Sequence, residues 1–160
     1  LAPEAPGRAL AGAPARAELA ALRLRLVDTG PIVAYLDGSD PEHARAVASL
    51  DGWKGRLATT SAVVTEAMHL VAAARQGPRL LAEFLAAAAV EVHDFTQPGD
   101  LAPVVALMER YTNVPMDFAD ATLVLLAEAL GAHEIMTLDR RGFSTYRTRK
   151  GRALRIILES

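Results

Sequence analysis

The sequence predicts an α/β sandwich with a mainly parallel central sheet. Short apolar segments typical of strands alternate along the chain with longer segments that have the spacing or Ala-rich composition of helices. Such alternation is typical of sheets whose neighbouring strands are joined by helical crossovers. The chain has 160 residues, 51% of them hydrophobic, so it can form one domain with a substantial core.

The first 21 residues are rich in Ala and Pro, and no apolar segment follows their basic residues. This composition predicts a disordered N-terminal extension rather than a secretory signal. The folded domain is therefore expected to span residues 22–160. Its first strand is expected at 22–27 and ends just before Asp28. The next three residues, Thr29, Gly30 and Pro31, are expected to form a turn. Pro31 suits the first position of a helix at 32–36.

Patterning predicts the other elements in turn. The further strands are expected at 57–59, 89–95, 134–138 and 154–158, and the further helices at 42–50, around Glu66, at 79–88, 100–111 and 117–130. Thr60 or Ser61 can cap the helix that carries Glu66, and Gly131 is placed to end the helix at 117–130.

The chain contains no cysteine, which excludes disulfides and thiolate metal sites and suits a cytoplasmic protein. No apolar run reaches the roughly 18 residues that a membrane span needs. The net charge of −2 argues against indiscriminate coating of nucleic acid.

One stretch is nevertheless strongly basic. Seven basic residues and no acid lie between positions 140 and 155, namely Arg140, Arg141, Arg147, Arg149, Lys150, Arg152 and Arg155. A local basic stretch in a mildly acidic protein is compatible with phosphate binding at one place. Charge alone favours the alternative, a solvated hairpin with exposed arginines.

Four acids occupy positions that suit a shared site. Asp28 and Asp139 each follow a short apolar strand, and ligands of open α/β sheets bind beyond the carboxyl ends of strands. Glu66 and Asp120 lie in apolar segments near the starts of helices. A buried acid requires a pairing partner, hydrogen bonds or a cation, and the sequence shows no obvious basic neighbour for three of them. A divalent cation is the simplest common partner.

Each acid also has an ordinary explanation when it is taken singly. Asp28 could close a turn, Glu66 could be an exposed helix residue, Asp120 could favour a helix N-terminus, and Asp139 could start a turn. Asp117 is a natural N-cap, with Asp120 three residues later as in a capping box, so Asp117 is expected to be mainly structural. The order and context of the four acids together favour a site.

The four segments that carry the acids resemble the motifs of the PIN-domain nucleases. These segments are Val27-Asp28-Thr29-Gly30, Thr65-Glu66-Ala67, Phe118-Ala119-Asp120-Ala121 and Thr137-Leu138-Asp139-Arg140-Arg141-Gly142-Phe143. Within that superfamily the compact size is similar to that of the VapC toxins of type II toxin–antitoxin pairs. The resemblance covers roughly residues 22–160, and only the Ala/Pro-rich extension departs from the pattern.

The resemblance implies a PIN-like three-layer α/β/α sandwich with the acids gathered at one end. It also implies RNA as substrate, Mg²⁺ or Mn²⁺ as cofactor, a homodimer and an antitoxin that blocks the site. Asp28 and Asp120 are then expected to be the main metal ligands, with Glu66 and Asp139 completing the site directly or through water. Thr29 is expected to orient Asp28 or contact phosphate, and the basic stretch to hold the RNA backbone.

Other functions remain open from sequence. A strand-end aspartyl phosphatase would need a second Asp where Gly30 stands, and a phosphorelay receiver would need a lysine better placed than Lys150. A PIN fold that binds RNA or protein without cutting typically loses acids, whereas all four positions are present here. An RNA-maturing nuclease without an antitoxin cannot be separated from a toxin by sequence.

Overall fold

A five-stranded parallel sheet forms the centre of the computed structural model, which describes residues 23–158. Its strands are β1 (Leu24–Val27), β2 (Arg56–Thr60), β3 (Glu91–His93), β4 (Glu134–Met136) and β5 (Arg155–Ile156). They lie in the order β3-β2-β1-β4-β5, and every pairing is parallel. The chain therefore runs outward from central β1 to β3 and then returns to β4 on the other side of β1. Ligands of such sheets bind at this change of direction, between β1 and β4.

The described residues also form seven helices, which flank the sheet. They are α1 (Thr29–Leu36), α2 (His43–Asp51), α3 (Ser61–Val71), α4 (Gly77–Ala87), α5 (Pro98–Arg110), α6 (Phe118–Leu130) and α7 (Arg140–Thr145). The predicted fold class, a three-layer α/β/α sandwich with a parallel sheet, is confirmed. None of the helices within residues 23–158 has the length and apolar character that crossing a bilayer requires. The predicted extension at 1–21 lies outside the described residues.

Helix α6 is the most deeply buried helix of the sandwich, and this follows from its sequence. Every residue from 121 to 127 is buried, because six of the seven are apolar and the seventh, Thr122, hydrogen bonds to Ala119 O at 2.7 Å. The Thr122 hydroxyl also lies 2.8 Å from that of Thr60, which ends β2. Gly131 ends the helix with φ at 65°, a conformation that glycine adopts without steric cost. These contacts fix the start of α6 against the carboxyl end of β2.

The first predicted turn is wrong. No turn separates β1 from its helix, because α1 begins directly at Thr29 and Asp28 is its N-cap, accepting a hydrogen bond from Thr29 N at 2.7 Å. Pro31 is therefore the third residue of the helix rather than the first. Gly30 permits a close approach here, since a Cβ at this position would lie 3.1 Å from the Leu138 side chain.

Strand boundaries were predicted less accurately than strand positions. The strand expected at 89–95 contains only Glu91–His93, because Ala89 has a positive φ of 49° and closes the preceding helix. The strand expected at 134–138 ends at Met136, since Asp139 N bonds to the Thr137 side chain at 3.0 Å instead of continuing a ladder. The final strand contains only Arg155–Ile156.

The basic stretch contains a helix that the sequence pattern does not predict. Residues Arg140–Thr145 form α7, and Asp139 is its N-cap rather than the start of a turn. The hairpin interpretation describes only the segment after this helix, where Arg147 and Ala153 form an isolated antiparallel bridge. Phe143 and Tyr146 anchor the helix in the core, each 1% exposed, with their rings in edge-to-face contact.

Candidate active site

Asp28 lies at the carboxyl end of the central strand, where it is only 9% exposed. Its Oδ1 atom accepts from Thr29 N at 2.7 Å, and its Oδ2 atom accepts from the Thr137 hydroxyl at 2.7 Å. Its own backbone N–H donates to Met136 O at 3.0 Å, which ties β1 to β4. Both carboxylate oxygens are thus held by uncharged donors.

Glu66 projects from the middle of α3 and is exposed. Its Oε2 atom accepts a hydrogen bond from the Thr29 hydroxyl at 2.6 Å. The predicted role of Thr29 is therefore refined, because its backbone N–H contacts Asp28 while its side chain contacts Glu66. One threonine joins two of the predicted acids. Because Glu66 reaches solvent, its burial does not demand a partner, and the alternative of an exposed helix residue describes its position.

Asp117 and Asp120 form the capping box that the sequence predicts. Asp117 Oδ1 accepts from Asp120 N at 2.8 Å, and Asp120 Oδ2 lies 3.4 Å from Asp117 N. Asp117 is exposed, whereas Asp120 is half-buried. The Tyr146 hydroxyl donates to Pro115 O at 2.7 Å and lies 3.4 Å from Asp120 Oδ2. The sequence pattern does not single out Tyr146, because its position depends on how α7 folds back.

Asp139 is exposed and is the N-cap of α7. Its Oδ1 atom accepts from Gly142 N at 2.9 Å, and its own N–H donates to the Thr137 hydroxyl oxygen at 3.0 Å. A Cβ at position 142 would lie 2.0 Å from Asp139 Oδ2, so only glycine fits beneath this carboxylate. The Asp-Arg-Arg-Gly sequence is thus explained by the cap geometry.

Burial and like charge act together on Asp28. Burial is the main cause that raises its pKa from 3.8 to about 6. The hydrogen bonds from Thr137 and Thr29 lower this pKa, and the charges of Glu66 and Asp117 raise it again. A carboxylate in this state is stabilised by any cation that approaches its open side.

Burial and like charge also raise the pKa of Asp120. Burial is the largest of the causes that raise its pKa to about 7, and the charges of Asp117, Asp28 and Asp139 act in the same direction. The influence of Asp28 and Asp139 on Asp120 means that three predicted acids lie close enough to interact electrostatically. The carboxyl edge therefore concentrates negative charge on buried or half-buried groups, which is typical of functional sites.

The donor set fits a hard divalent cation. All the side chains that the sequence predicts as ligands offer carboxylate oxygens, which Mg²⁺ and Mn²⁺ prefer. Among residues 23–158, no three Asp, Glu, His or Cys side chains are already placed so that they could hold a metal ion together. Glu66, Asp120 and Asp139 each accept a hydrogen bond from a nearby donor.

The basic residues differ in whether their side chains are engaged within the fold. Arg140 and Arg141 are exposed at the start of α7, beside Asp139. Arg147 instead donates to Ser144 O and Tyr146 O, both at 2.8 Å, and Arg149 pairs with Glu128 at 2.8 Å. The first pair thus borders the acids, whereas the second pair is engaged in contacts within the fold. Lys150 is exposed in the turn that follows.

Arg155, the last of the basic residues, belongs to a different cluster. It shares the buried carboxylate of Glu134 with Arg23 and Arg25. Arg25 also stacks over the Trp53 ring at 3.7 Å. The charged residues of this cluster lie at the amino ends of β1, β4 and β5, away from the acids, so the cluster stabilises the opposite edge of the sheet.

Comparison with known proteins identifies the family. A family model described as the PIN domain matches residues 25–148. Ribonuclease VapC26 of Mycobacterium tuberculosis is 30% identical over 124 residues, which cover 76% of this chain and 91% of the relative. Its sequence aligns over nearly its whole length, so the similarity is not confined to one motif.

Solved structures resemble the fold as well. The structure of Mycobacterium tuberculosis VapC20, described as a sarcin-ricin loop cleaving toxin, superposes with a TM-score of 0.67 at 17% identity, covering 75% of this chain and 93% of that one. VapBC2 from Rickettsia felis, bound to a promoter DNA fragment, gives a TM-score of 0.60 at 16% identity, covering 84% and 98%. A family model that spans most of the folded chain, together with a curated relative at this identity and coverage, leads to one conclusion: the chain belongs to the PIN-domain family.

Proposed function

We propose that this protein is a Mg²⁺- or Mn²⁺-dependent ribonuclease that hydrolyses RNA phosphodiester bonds, and that it is the toxin of a VapBC-like toxin–antitoxin pair. The observation that carries the proposal is the pair Asp28 and Asp120 at the sheet's carboxyl edge. Both have a raised pKa, and Asp139 adds its charge to Asp120. A cluster of this kind repels RNA phosphates until a cation neutralises it, so the ion serves substrate binding as well as catalysis.

In this proposal Asp28 and Asp120 hold the cation, and Glu66 and Asp139 complete the site directly or through water. When bound, such an ion lowers the pKa of a water that attacks the phosphodiester and stabilises the charge on the leaving oxygen. Asp117 contributes through the capping box that orients Asp120. Thr29 holds Glu66 at 2.6 Å and thereby fixes the exposed glutamate beside Asp28.

Substrate binding requires positive charge beside this negative centre. Arg140 and Arg141 are exposed next to Asp139 and are placed to contact phosphates that flank the scissile bond. Three more basic residues follow along the chain, Arg147, Arg149 and Lys150. Arg147 and Arg149 could contact the RNA backbone only if their side chains left their present partners. We therefore assign the main backbone contacts to Arg140 and Arg141.

The relatives support the toxin role. One relative is a ribonuclease by name, and a structural neighbour is described as a toxin that cleaves the sarcin-ricin loop. The VapBC2 neighbour is described as bound to its promoter DNA. From the resemblance to the VapC toxins we also propose a cognate antitoxin as partner and a homodimer as the assembly, and from the absence of cysteine the cytoplasm as the location.

A cleavage assay tests the proposal directly. A mixed tRNA and rRNA pool is incubated with the protein in Mn²⁺, Mg²⁺ or EDTA, and the ends of the products are mapped. Cleavage should require the divalent ion and should be abolished in Asp28→Asn, while circular dichroism stays near that of the wild type. Full activity in EDTA or in Asp28→Asn would exclude a metal nuclease.

Two alternative functions are a PIN module that binds RNA without cutting it and an RNA-processing nuclease without an antitoxin. The presence of all four acids favours an enzyme that cuts RNA over a module that only binds it. A PIN module that binds RNA without cutting should bind the same pool with or without Mn²⁺ and leave it intact. An RNA-processing nuclease without an antitoxin should cut, but no small reading frame encoding an inhibitor should precede its gene. Growth arrest on expression, relieved by the upstream frame, would identify the toxin.

A further inference from the structure

We infer that Thr137 is a positioning residue of the metal site, which fixes the Asp28 carboxylate and links it to the segment that carries Asp139. The inference rests on the proposed function, since it concerns the residues proposed to hold the cation. Thr137 lies one residue beyond β4 and is fully buried. Its hydroxyl contacts both neighbouring acids of the site, one by its carboxylate and one by its backbone.

The direction of these two hydrogen bonds follows from their chemistry. The backbone N–H of Asp139 can only donate, so the Thr137 oxygen accepts from it at 3.0 Å. The hydroxyl has one proton, and Asp28 Oδ2 lies 2.7 Å away as an acceptor. The proton therefore points at Asp28. The same hydroxyl group is thus hydrogen-bonded both to the Asp139 backbone and to the Asp28 side chain, and it holds the two in a fixed arrangement.

Two donors on two different oxygens determine the plane of the Asp28 carboxylate. The terminal torsion of an aspartate is broad, and a single hydrogen bond leaves it partly free. Here Thr29 N holds Oδ1 and Thr137 holds Oδ2, both at 2.7 Å. Each oxygen retains a further lone pair. The carboxylate is therefore pre-oriented for a ligand on its open side, and donors that orient metal ligands commonly determine metal affinity.

The contact also lies at the change of direction in the sheet. Asp28 follows β1 and Thr137 follows β4, and these strands are hydrogen-bonded neighbours, with Val27 beside Met136. Sheet pairing therefore delivers the hydroxyl to the carboxylate without contribution from a flexible loop. A purely structural role for the hydroxyl would require only some buried acceptor, and the backbone of β1 could supply one.

Thr59 shows what such a structural role looks like and provides a matched control. It is also fully buried, one strand away on β2, and its hydroxyl donates to Val27 O at 2.7 Å. Its acceptor is a backbone carbonyl and not a carboxylate. Thr59→Val and Thr137→Val thus remove the same group from the same kind of environment, and only the second removes a contact to a proposed ligand.

The test measures Mn²⁺ binding by isothermal titration to the full-length protein, at a temperature where every variant is folded by circular dichroism. The variants are Thr137→Val, Thr137→Ser, Thr59→Val and Asp28→Asn. We expect Thr137→Val to bind Mn²⁺ about tenfold more weakly, as is common when a group that orients a metal ligand is removed. Thr137→Ser keeps the hydroxyl and should restore the affinity, while Thr59→Val should bind as the wild type does.

RNA cleavage gives a second measurement. Thr137→Val should lower kcat more than it raises KM, since RNA binding outside the metal site is unchanged, and higher Mn²⁺ should recover part of the activity. Wild-type Mn²⁺ affinity in Thr137→Val, or an equally weakened affinity in Thr59→Val, would overturn the positioning role while leaving the metal nuclease intact. Unaltered Mn²⁺ binding in Asp28→Asn would instead refute the proposed metal site, and the inference with it.

Discussion

Asp117 and Asp120 bond to each other's backbone at the start of α6, yet only Asp120 is turned toward the interior. The Asp117 carboxylate holds Asp120 N at 2.8 Å, whereas the return contact from Asp120 to Asp117 N is long, at 3.4 Å. The strong half of the box is therefore the cap made by the exposed residue. Asp120 contributes little to the cap and is left to interact with Asp28 and Asp139.

This division predicts opposite outcomes for two substitutions. Asp117→Ala removes the cap and should cost about 1 kcal/mol of unfolding free energy while leaving measurable RNA cleavage. Asp120→Asn should abolish cleavage without lowering stability, because the amide keeps the size of the side chain and removes a charge that burial and the neighbouring acids disfavour. Urea denaturation and cleavage assays on the two variants side by side measure both effects. A stable but inactive Asp117→Ala would identify Asp117 as the metal ligand instead.

The stability of the metal-free protein should depend on the ionisation of Asp28. Burial is the main cause that raises its pKa from 3.8 to about 6, so the folded state holds this proton more tightly than the unfolded chain. The resulting stabilisation is complete below about pH 4 and disappears as the pH rises through about 6. Relative to Asp28→Asn, the wild type should thus be destabilised by on the order of 3 kcal/mol between about pH 4 and pH 7.

Urea denaturation in EDTA across this range measures the difference, and the effects of acids that do not interact with Asp28 cancel between the two proteins. Asp37→Asn is a useful control, because hydrogen bonds from Ser39 lower the Asp37 pKa. Because this pKa lies below its ordinary value of 3.8, the Asp37→Asn difference should be nearly flat between about pH 4 and pH 7, and the wild type should lose relative stability only as the pH falls below about 4. A pH-independent difference for Asp28→Asn would contradict the prediction.

Charge removal beside Asp139 should weaken RNA binding. We expect Arg140→Gln with Arg141→Gln to lower affinity and to reduce the slope of log affinity against log salt by roughly 0.7 for each phosphate that the protein no longer binds. Lys54→Gln with Arg75→Gln removes the same charge from other exposed sites. Binding measured across a salt series, with Asp28→Asn to prevent cleavage, should separate the two pairs. Equal slopes would mean that Arg140 and Arg141 do not contact phosphate.

The products should show that water, and not the RNA 2′-hydroxyl, attacks the phosphorus. We expect 5′-phosphate and 3′-hydroxyl ends, because the metal-activated nucleophile is external to the RNA. A mapped substrate with a single 2′-deoxy nucleotide at the scissile position should still be cut. End analysis by ligation and mass spectrometry measures this outcome, and 2′,3′-cyclic phosphates would point to a different mechanism.

The four acids were proposed from their resemblance to the PIN-domain motifs, and local rules predicted the structural setting of some of them. Asp28 follows an apolar run, and Asp117 precedes one with an acid three residues later, so local patterning predicts both a strand end and a cap. The helix that follows Asp139 could not be predicted in this way. It has only six residues, too few for a helical period to be recognised, and it is held by the packing of Phe143 and Tyr146.

The sequence by itself determined the fold class and the order of the elements, because alternating apolar segments and capping residues act over a few neighbours, and its resemblance to the PIN-domain motifs singled out the four acids. Only the tertiary structure decided what each acid contacts. Thr137 and Asp28 are 109 positions apart, and they meet because β4 pairs with β1 and not with β3. That choice depends on which faces pack together in the core, and so no local pattern contains it.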